Sequence, residues 1–259
     1  MKRALVTGAG QRLGRAMALY LGTRGYDVAV HYATSDTGAQ EVVAELEAMG
    51  QRGVALQADL LDVAQMEALL PEAARALGGP VTCLVNNASV FEYDTITTAT
   101  SESWDRHINS NLRAPFVLTQ AMAAQGLSAQ KDAQGEAIAC GLIVNMLDQR
   151  VRKLTPEFMT YTLAKMGLWA LTQTTARALA PQIRVNAIGP GPTLQGERQT
   201  QDHFDAQRAA TVLERGSNPE DITAALGYFL DAPAVTGQLL CVDGGQHLGW
   251  KTPDLIGVE

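Results

Sequence analysis

With 259 residues the chain can form one large α/β domain with a substantial core. A formal net charge of −7 and the lack of any basic run exclude an electrostatic footing for nucleic acid. At 46% hydrophobic residues the composition is that of an ordinary globular protein, and no apolar run reaches the ~18 residues that would cross a bilayer.

Cys83, Cys140 and Cys241 lack metal-type spacing, so no metal site is expected, and they read as reduced thiols in buried strands of a cytoplasmic protein. Met1-Lys2-Arg3 passes directly into a strand, which leaves no room for a signal peptide. The densest basic cluster, Arg150, Arg152 and Lys153, reads as a solvated loop or an anion contact.

A short buried strand is predicted over 4–6, followed by the turn Thr7-Gly8-Ala9-Gly10-Gln11-Arg12-Leu13-Gly14 and a helix to about residue 24. Strand, glycine-rich turn and helix in that order make a phosphate cradle, where backbone N–H groups and the helix dipole face a pyrophosphate. The spacing departs from G-x-G-x-x-G, because Leu13 stands in the third glycine's place and Gly14 follows one residue late. Strands are predicted over 27–31 and 54–57, separated by a helix over 38–49 with apolar residues at 42, 43, 46 and 49. Asp62 can cap a helix to about residue 77, and strand 83–85 runs into Asn86-Asn87-Ala88-Ser89.

One long helix is predicted over 101–125, containing Asn109 and Asn111, then an exposed loop over 127–136. A buried strand carries Ile143, Val144 and Met146 and leads past Asp148 to a helix that starts at Thr155-Pro156-Glu157. Threonine can cap, proline suits the first helical position and glutamate favours the positive end of the dipole; Pro181 ends the helix. A strand over 183–188 leads into Gly189-Pro190-Gly191-Pro192-Thr193, and 194–217 reads as a polar lid with a helical patch over 205–213. A last helix over 219–230 and a strand over 239–242 precede Asp243-Gly244-Gly245 and a tail, 246–259, without clear periodicity.

This alternation predicts a single domain over 1–259, a doubly wound (Rossmann) seven-stranded parallel sheet with helices on both faces. Ligands of such sheets lie beyond the carboxyl ends of the strands. Those ends carry Thr7-Gly8, His31, Asp59, Asn87, Asp148 and Gly189-Pro190. Tyr161 and Lys165, four residues apart on one helix face, add a phenol beside a cation. Such a cation lowers the phenol's pKa and makes it a usable proton donor. Taken alone the pair also reads as an amphipathic helix with an exposed lysine.

The set Thr7-Gly8 to Gly14, Asp59, Asn86-Asn87-Ala88, Asn111, Tyr161-x-x-x-Lys165, Pro190-Gly191 and Asp243-Gly244-Gly245 resembles the short-chain dehydrogenase/reductase family over nearly the whole chain. The resemblance implies a nicotinamide cofactor, with Tyr161 as proton donor, Lys165 lowering its pKa and binding the ribose, and Asn111 holding a water relay. It implies a cofactor site of Gly8, Arg12, Leu13, His31, Tyr32, Ser35, Asp59, Leu60, Asn87, Ala88, Ser89, Lys165, Pro190 and Gly191, and a homotetramer through the helix faces of 101–125 and 155–180. No carboxylate ends the second strand, where His31 stands and the first acid is Asp36; Arg12, Ser35 and His31 are left to accept a 2′-phosphate, so NADP(H) is expected.

Three departures narrow the resemblance. Arg12 replaces the family's second glycine, Asp148 stands thirteen positions before Tyr161 where Ser or Thr is usual, and Ser89 replaces a glycine with Phe91 two residues on. Together they resemble the pteridine reductase branch, which implies that Arg12 contacts phosphate and substrate, Phe91 stacks on the substrate, and Asp148 takes part in proton delivery. Beside this stand plainer readings: Arg12 on phosphate alone, Phe91 in the core, Asp148 as a loop cap. The branch's usual basic residue after strand two is Tyr32-Ala33-Thr34-Ser35 here. The expected function is reduction of a pterin-like small molecule. The alternatives are another carbonyl or alcohol substrate, or a non-catalytic cofactor sensor.

Overall fold

The computed structural model describes residues 2–196 and 199–251. The first half of the fold consists of β1 (Lys2–Val6), α1 (Arg12–Thr23), β2 (Tyr26–Tyr32), α2 (Asp36–Ala48), β3 (Gly53–Gln57), α3 (Val63–Ala76) and β4 (Cys83–Asn86). Next come α4 (Ser101–Ile108), α5 (Ala114–Ala124), a two-residue ladder β5 (Gln130–Lys131) with β6 (Ala137–Ile138), β7 (Gly141–Met146) and α6 (Met159–Ala178). The last elements are β8 (Ile183–Pro190), α7 (Gln201–Ala209), α8 (Pro219–Asp231) and β9 (Leu239–Val242).

Seven strands form one parallel sheet, as expected, and their order is β3-β2-β1-β4-β7-β8-β9. The order reverses between β1 and β4, the point at which open parallel sheets bind ligands. Alternation along each strand feeds two cores. Val6, Val85 and Val144 face α1, α2 and α8, where Leu21, Leu46 and Phe229 are buried. Leu5, Leu84 and Ile143 face α3 and α5, where Leu69, Leu70 and Met122 are buried. Truncating a fully buried leucine such as Leu84 to alanine costs about 2–5 kcal/mol.

Several expected boundaries are corrected. The helix over 101–125 is two helices joined by a π-helical segment, Asn109–Arg113, with Asn111 at its centre. The loop over 127–136 contains β5, and Asp132 accepts the N–H groups of Gln134 and Glu136. α6 starts at Met159 rather than Thr155: Phe158 is left-handed at φ 54°, and the Thr160 N–H is capped by Asp94, 66 residues away in sequence. Thr155 instead accepts from the Arg150 guanidinium at 2.8 Å. α7 lies over 201–209 rather than 205–213, its start capped by Thr200. Cys83 is buried in β4, but Cys140 is half-buried and precedes β7, and Cys241 is half-buried in β9. Of the tail, Gln246–Leu248 forms a 3₁₀ turn, and 252–259 lies outside the described residues.

Candidate active site

The carboxyl ends of β1, β4, β7 and β8 open on a cleft of about 1100 Å³. Its first wall is the glycine turn. Gly8 is left-handed at φ 61°, and a Cβ on Gly14 would come within 2.0 Å of the Gly8 carbonyl. Thr7 Oγ1 accepts the N–H groups of Asn87 and Ala88, both at 2.9 Å, while Asn87 Nδ2 donates to the Thr7 carbonyl at 2.8 Å. These bonds tie the end of β4 to the end of β1, so the glycine turn and Ala88-Ser89 sit side by side.

Arg12 adopts φ 53°, a conformation natural to glycine and costing an L-residue roughly 1–2 kcal/mol. Its guanidinium reaches across the cleft mouth to the carbonyls of Gln195 at 2.9 Å and Leu194 at 3.1 Å. Leu13 and Ser35 line the same wall.

His31 does not. It is buried under the turn, where its Nδ1 accepts the Gly8 N–H at 3.0 Å and its Nε2 therefore donates to the Ala58 carbonyl at 3.0 Å. Burial pushes its pKa down to about 4, partly offset by the Ala58 bond, so it is a neutral brace and its expected place beside a phosphate is corrected. Tyr32, Asp59 and Leu60 also lie outside the cleft lining. Asp59 accepts the Leu61 N–H, and Leu60 packs into the core on the α3 side.

The second wall is α6 with the loop before it. Tyr161 and Lys165 are buried at the cleft floor. The Tyr161 hydroxyl donates to Asp148 Oδ2 at 3.0 Å, while Asp148 Oδ1 accepts the Arg150 N–H at 2.8 Å. Asp148 thus both caps its loop and touches the phenol. Lys165 Nζ donates to the Met146 carbonyl at 2.8 Å and lies 5.6 Å from the Tyr161 ring centroid.

The expectation that Lys165 draws the phenol towards neutrality is corrected. Burial, then the charge and hydrogen bond of Asp148, hold the Tyr161 phenol well above its usual value, with Arg150 and Ser89 pulling the other way. Burial lowers the Lys165 ammonium to about 8, opposed by Asp148. The phenol therefore stands protonated, the state a proton donor needs in a reduction.

Phe91 is 49% exposed and lines the cleft, so its core reading falls away. It stacks on Phe158 with centroids 4.3 Å apart and meets Tyr161 edge-on at 4.7 Å. The Arg150 guanidinium lies over Phe158 at 4.7 Å, and Tyr93 abuts Phe158 edge-on at 5.2 Å. Asn111 stands behind this wall rather than in it: Oδ1 accepts the Val90 N–H and Nδ2 donates to the Val90 carbonyl, both at 2.8 Å. Pro190 and Gly191 complete the floor. Gly191 passes so close to Asp243 that a Cβ would lie 2.6 Å from its Cα.

Sequence reading missed Phe158, Gln149, and the lid residues Gln199, His203, Phe204 and Gln207, all of which line the cleft. An aromatic three residues before Tyr161 was the available signal for Phe158; the lid carries none. Among the described residues no cluster of His, Cys, Asp or Glu could hold a metal, and no helix is long and apolar enough to cross a membrane.

A family profile described as enoyl-(acyl carrier protein) reductase matches residues 8–247. The chain is 31% identical over 252 residues to the 3-oxoacyl-[acyl-carrier-protein] reductase FabG of Staphylococcus epidermidis, covering 95% of this chain and 99% of that protein. It is 32% identical over 255 residues to the L-rhamnose 1-dehydrogenase (NAD(P)(+)) of a Sphingomonas strain, covering 95% and 96%. FolM alternative dihydrofolate reductase 1 from Brucella suis, solved in complex with NADP, matches with a TM-score of 0.89 and 39% identity over 98% of each chain. The chain belongs to the short-chain dehydrogenase/reductase family. Within it, the likeness to FolM falls on the side of the pteridine reductase branch.

Proposed function

We propose that the protein is an NADPH-dependent reductase of a pterin-like heterocycle, of the dihydropterin or dihydrofolate type, acting in the cytoplasm. The observation that carries this reading is the company Tyr161 keeps: the Asp148 carboxylate at 3.0 Å on one side and the exposed Phe91 ring at 4.7 Å on the other. An aminopyrimidine ring offers N–H donors that a carboxylate accepts and a flat face that an aromatic ring covers. Each Asp148 oxygen spends one lone pair within the protein and keeps another for such a donor.

The donor chemistry of the cleft fits NADP(H). α1 opens on it without a side-chain cap and without an acid in its first turn, leaving backbone N–H groups and a positive dipole end for a diphosphate. Thr34 and Ser35 line the cleft after β2, where the first acid in the sequence is Asp36. Arg12 would hold the 2′-phosphate, and Lys165, Ser89, Pro190 and Gly191 would hold the nicotinamide end. Bound NADPH supplies a hydride. Tyr161 donates the proton from its hydroxyl, Lys165 binds the ribose, Asp148 orients the ring through its N–H groups, and Phe91 excludes water from its face.

The exposed side chains of Trp104, Phe116, Leu163 and Met166 on α4, α5 and α6 support a homotetramer through those faces. Steady-state NADPH oxidation with dihydropterin, dihydrofolate, quinonoid dihydropterin and simple ketones tests the substrate assignment. Dihydropterins are expected to exceed ketones by about tenfold or more in kcat/KM. The reverse order favours the second reading, a carbonyl reductase, for which the likeness to FabG and to the angucycline C-6 ketoreductase LanV with bound NADP (TM-score 0.85, 30% identity) speaks.

A further inference from the structure

Behind the aromatic wall lies a second polar cluster that the chemistry above does not use. Asp94, His107 and Thr160 come from three separate segments and are 2%, 0% and 3% exposed. Asp94 Oδ1 accepts the Thr160 N–H at 3.1 Å; its Oδ2 accepts the Thr160 hydroxyl and, at 3.1 Å, the Ser103 hydroxyl. Thr160 Oγ1 lies 2.6 Å from His107 Nδ1, and His107 Nε2 lies 3.1 Å from the Glu92 backbone nitrogen.

A backbone N–H can only donate, so Nε2 is the acceptor and Nδ1 carries the ring proton. The hydrogens then run one way: Glu92 N–H to His107, His107 to Thr160, Thr160 to Asp94. Burial lowers the His107 pKa, with Asp94 and Glu92 opposing and Arg106 assisting, so the ring is neutral. For Asp94, burial favours the neutral acid, but the bonds from Thr160 and Ser103 overcome it and hold the carboxyl below its usual range.

This chain of bonds meets the site at two points. Thr160 immediately precedes Tyr161, and Glu92 lies between Phe91 and Tyr93. The His107 ring itself packs edge-on to Tyr161 at 6.0 Å. We infer that Asp94, His107 and Thr160 form a positioning relay that holds the Tyr161 hydroxyl in register with the Phe91 wall. It thereby sets both turnover and discrimination for planar substrates. The inference rests on Tyr161 being the proton donor of the proposed reaction. Because Asp94 caps α6 from outside, the first turn of the helix is referenced to the aromatic wall and not to the loop that precedes it.

Thr160→Val keeps the side chain's shape and removes both the donor to Asp94 and the acceptor for His107. For the substrate that the wild type reduces best, kcat is expected to fall about 10- to 100-fold and KM to rise severalfold, with NADPH affinity unchanged. Thr160→Ser keeps the hydroxyl and is expected to restore both. Asp94→Asn presents N–H where the carboxylate accepted, so the buried Thr160 hydroxyl loses the acceptor for its hydrogen, and His107 Nδ1 is the partner left to take it. His107 then needs its proton on Nε2, and the bond from Glu92 is lost.

Hydrogen exchange at the Glu92 amide reads this without turnover, with the amides of β4 as internal standard. Exchange is expected to be slow in the wild type and Thr160→Ser, and about tenfold or more faster in Thr160→Val and Asp94→Asn. Should Thr160→Val fail to fold, Asp94→Asn carries the test. Unchanged kcat and KM per folded molecule in Thr160→Val, or Glu92 exchange equal in all variants, overturns the relay. If the wild type turned over no dihydropterin while the exchange pattern held, the proposed substrate would fail and the relay would stand.

Discussion

The Tyr161 hydroxyl donates to Asp148 Oδ2, 3.0 Å away across the cleft floor. The carboxylate adds to burial in keeping the phenol protonated. Asp148→Ser removes that part of the effect while burial remains, so the alkaline limb of kcat/KM is expected to move to lower pH. Dihydropterin reduction should fall about tenfold or more, with NADPH affinity intact and ketone reduction held or raised, because a neutral donor then faces the carbonyl oxygen. Profiles for both substrate types over about pH 6 to 11 decide the matter. A parallel loss of both activities would leave Asp148 with only its cap on Arg150.

Tyr161→Phe removes the hydroxyl and leaves the ring packed against Phe91 and His107. Turnover is expected to drop about 10²–10⁴-fold with NADPH binding retained. Lys165→Ala should impair both, since the ammonium is assigned to the ribose and packs beside the Tyr161 ring. Near-wild-type rates for Tyr161→Phe across substrates would remove the phenol from its role.

Phe91→Ala exposes the edge of Tyr161 and one face of Phe158. The loss of one aromatic contact, about 0.5–1.5 kcal/mol beyond area, corresponds to a rise of roughly 2- to 12-fold in KM for a flat heterocycle. A small aliphatic ketone should hardly notice. Equal effects on both would mean that Phe91 supports the loop and does not read the substrate.

His31 gives the fold an acid-sensitive point. Its pKa is ordinary, 6.5, when unfolded and about 4 when folded, so the unfolded chain takes up the proton first. Stability contributed by the neutral ring is present above pH 6.5 and lost as the pH falls towards 4, by about 3 kcal/mol in all. Urea midpoints measured over that range should decline less steeply in His31→Asn than in the wild type. Identical slopes would show that the ring does not titrate as its burial dictates.

The sheet is legible in the sequence because both of its faces are covered. Leu5, Leu84 and Ile143 alternate with Val6, Val85 and Val144, and all six read as continuous apolar runs. The glycine turn is legible mainly through its departure, since an arginine at a glycine position signals a purpose, and Arg12 does cross the cleft mouth. The start of α6 is not legible. Thr155-Pro156-Glu157 carries every local sign of a helix start, but Asp94, 66 residues distant, supplies a better cap three to four residues on. Tertiary bonds of that kind leave no mark on local pattern. His31 misleads for a related reason: its place at the end of β2 suggests the cofactor, while its side chain turns beneath the glycine turn to brace Gly8. The phenol's environment is half legible. The spacing reveals Lys165 and Asp148, but burial, the largest influence on Tyr161, depends on the packing around it.

Asn111 holds Val90 by its N–H and its carbonyl, and Thr7 holds Asn87 and Ala88 by their N–H groups. The stretch from Asn87 to Phe91 thus takes its course from main-chain bonds that ask nothing of the side chains at 89 and 91. Substitutions at Ser89 or Phe91 can alter what the wall binds while its path stays put. A lineage built on this frame can retune its ligand chemistry one side chain at a time, without first solving the fold again.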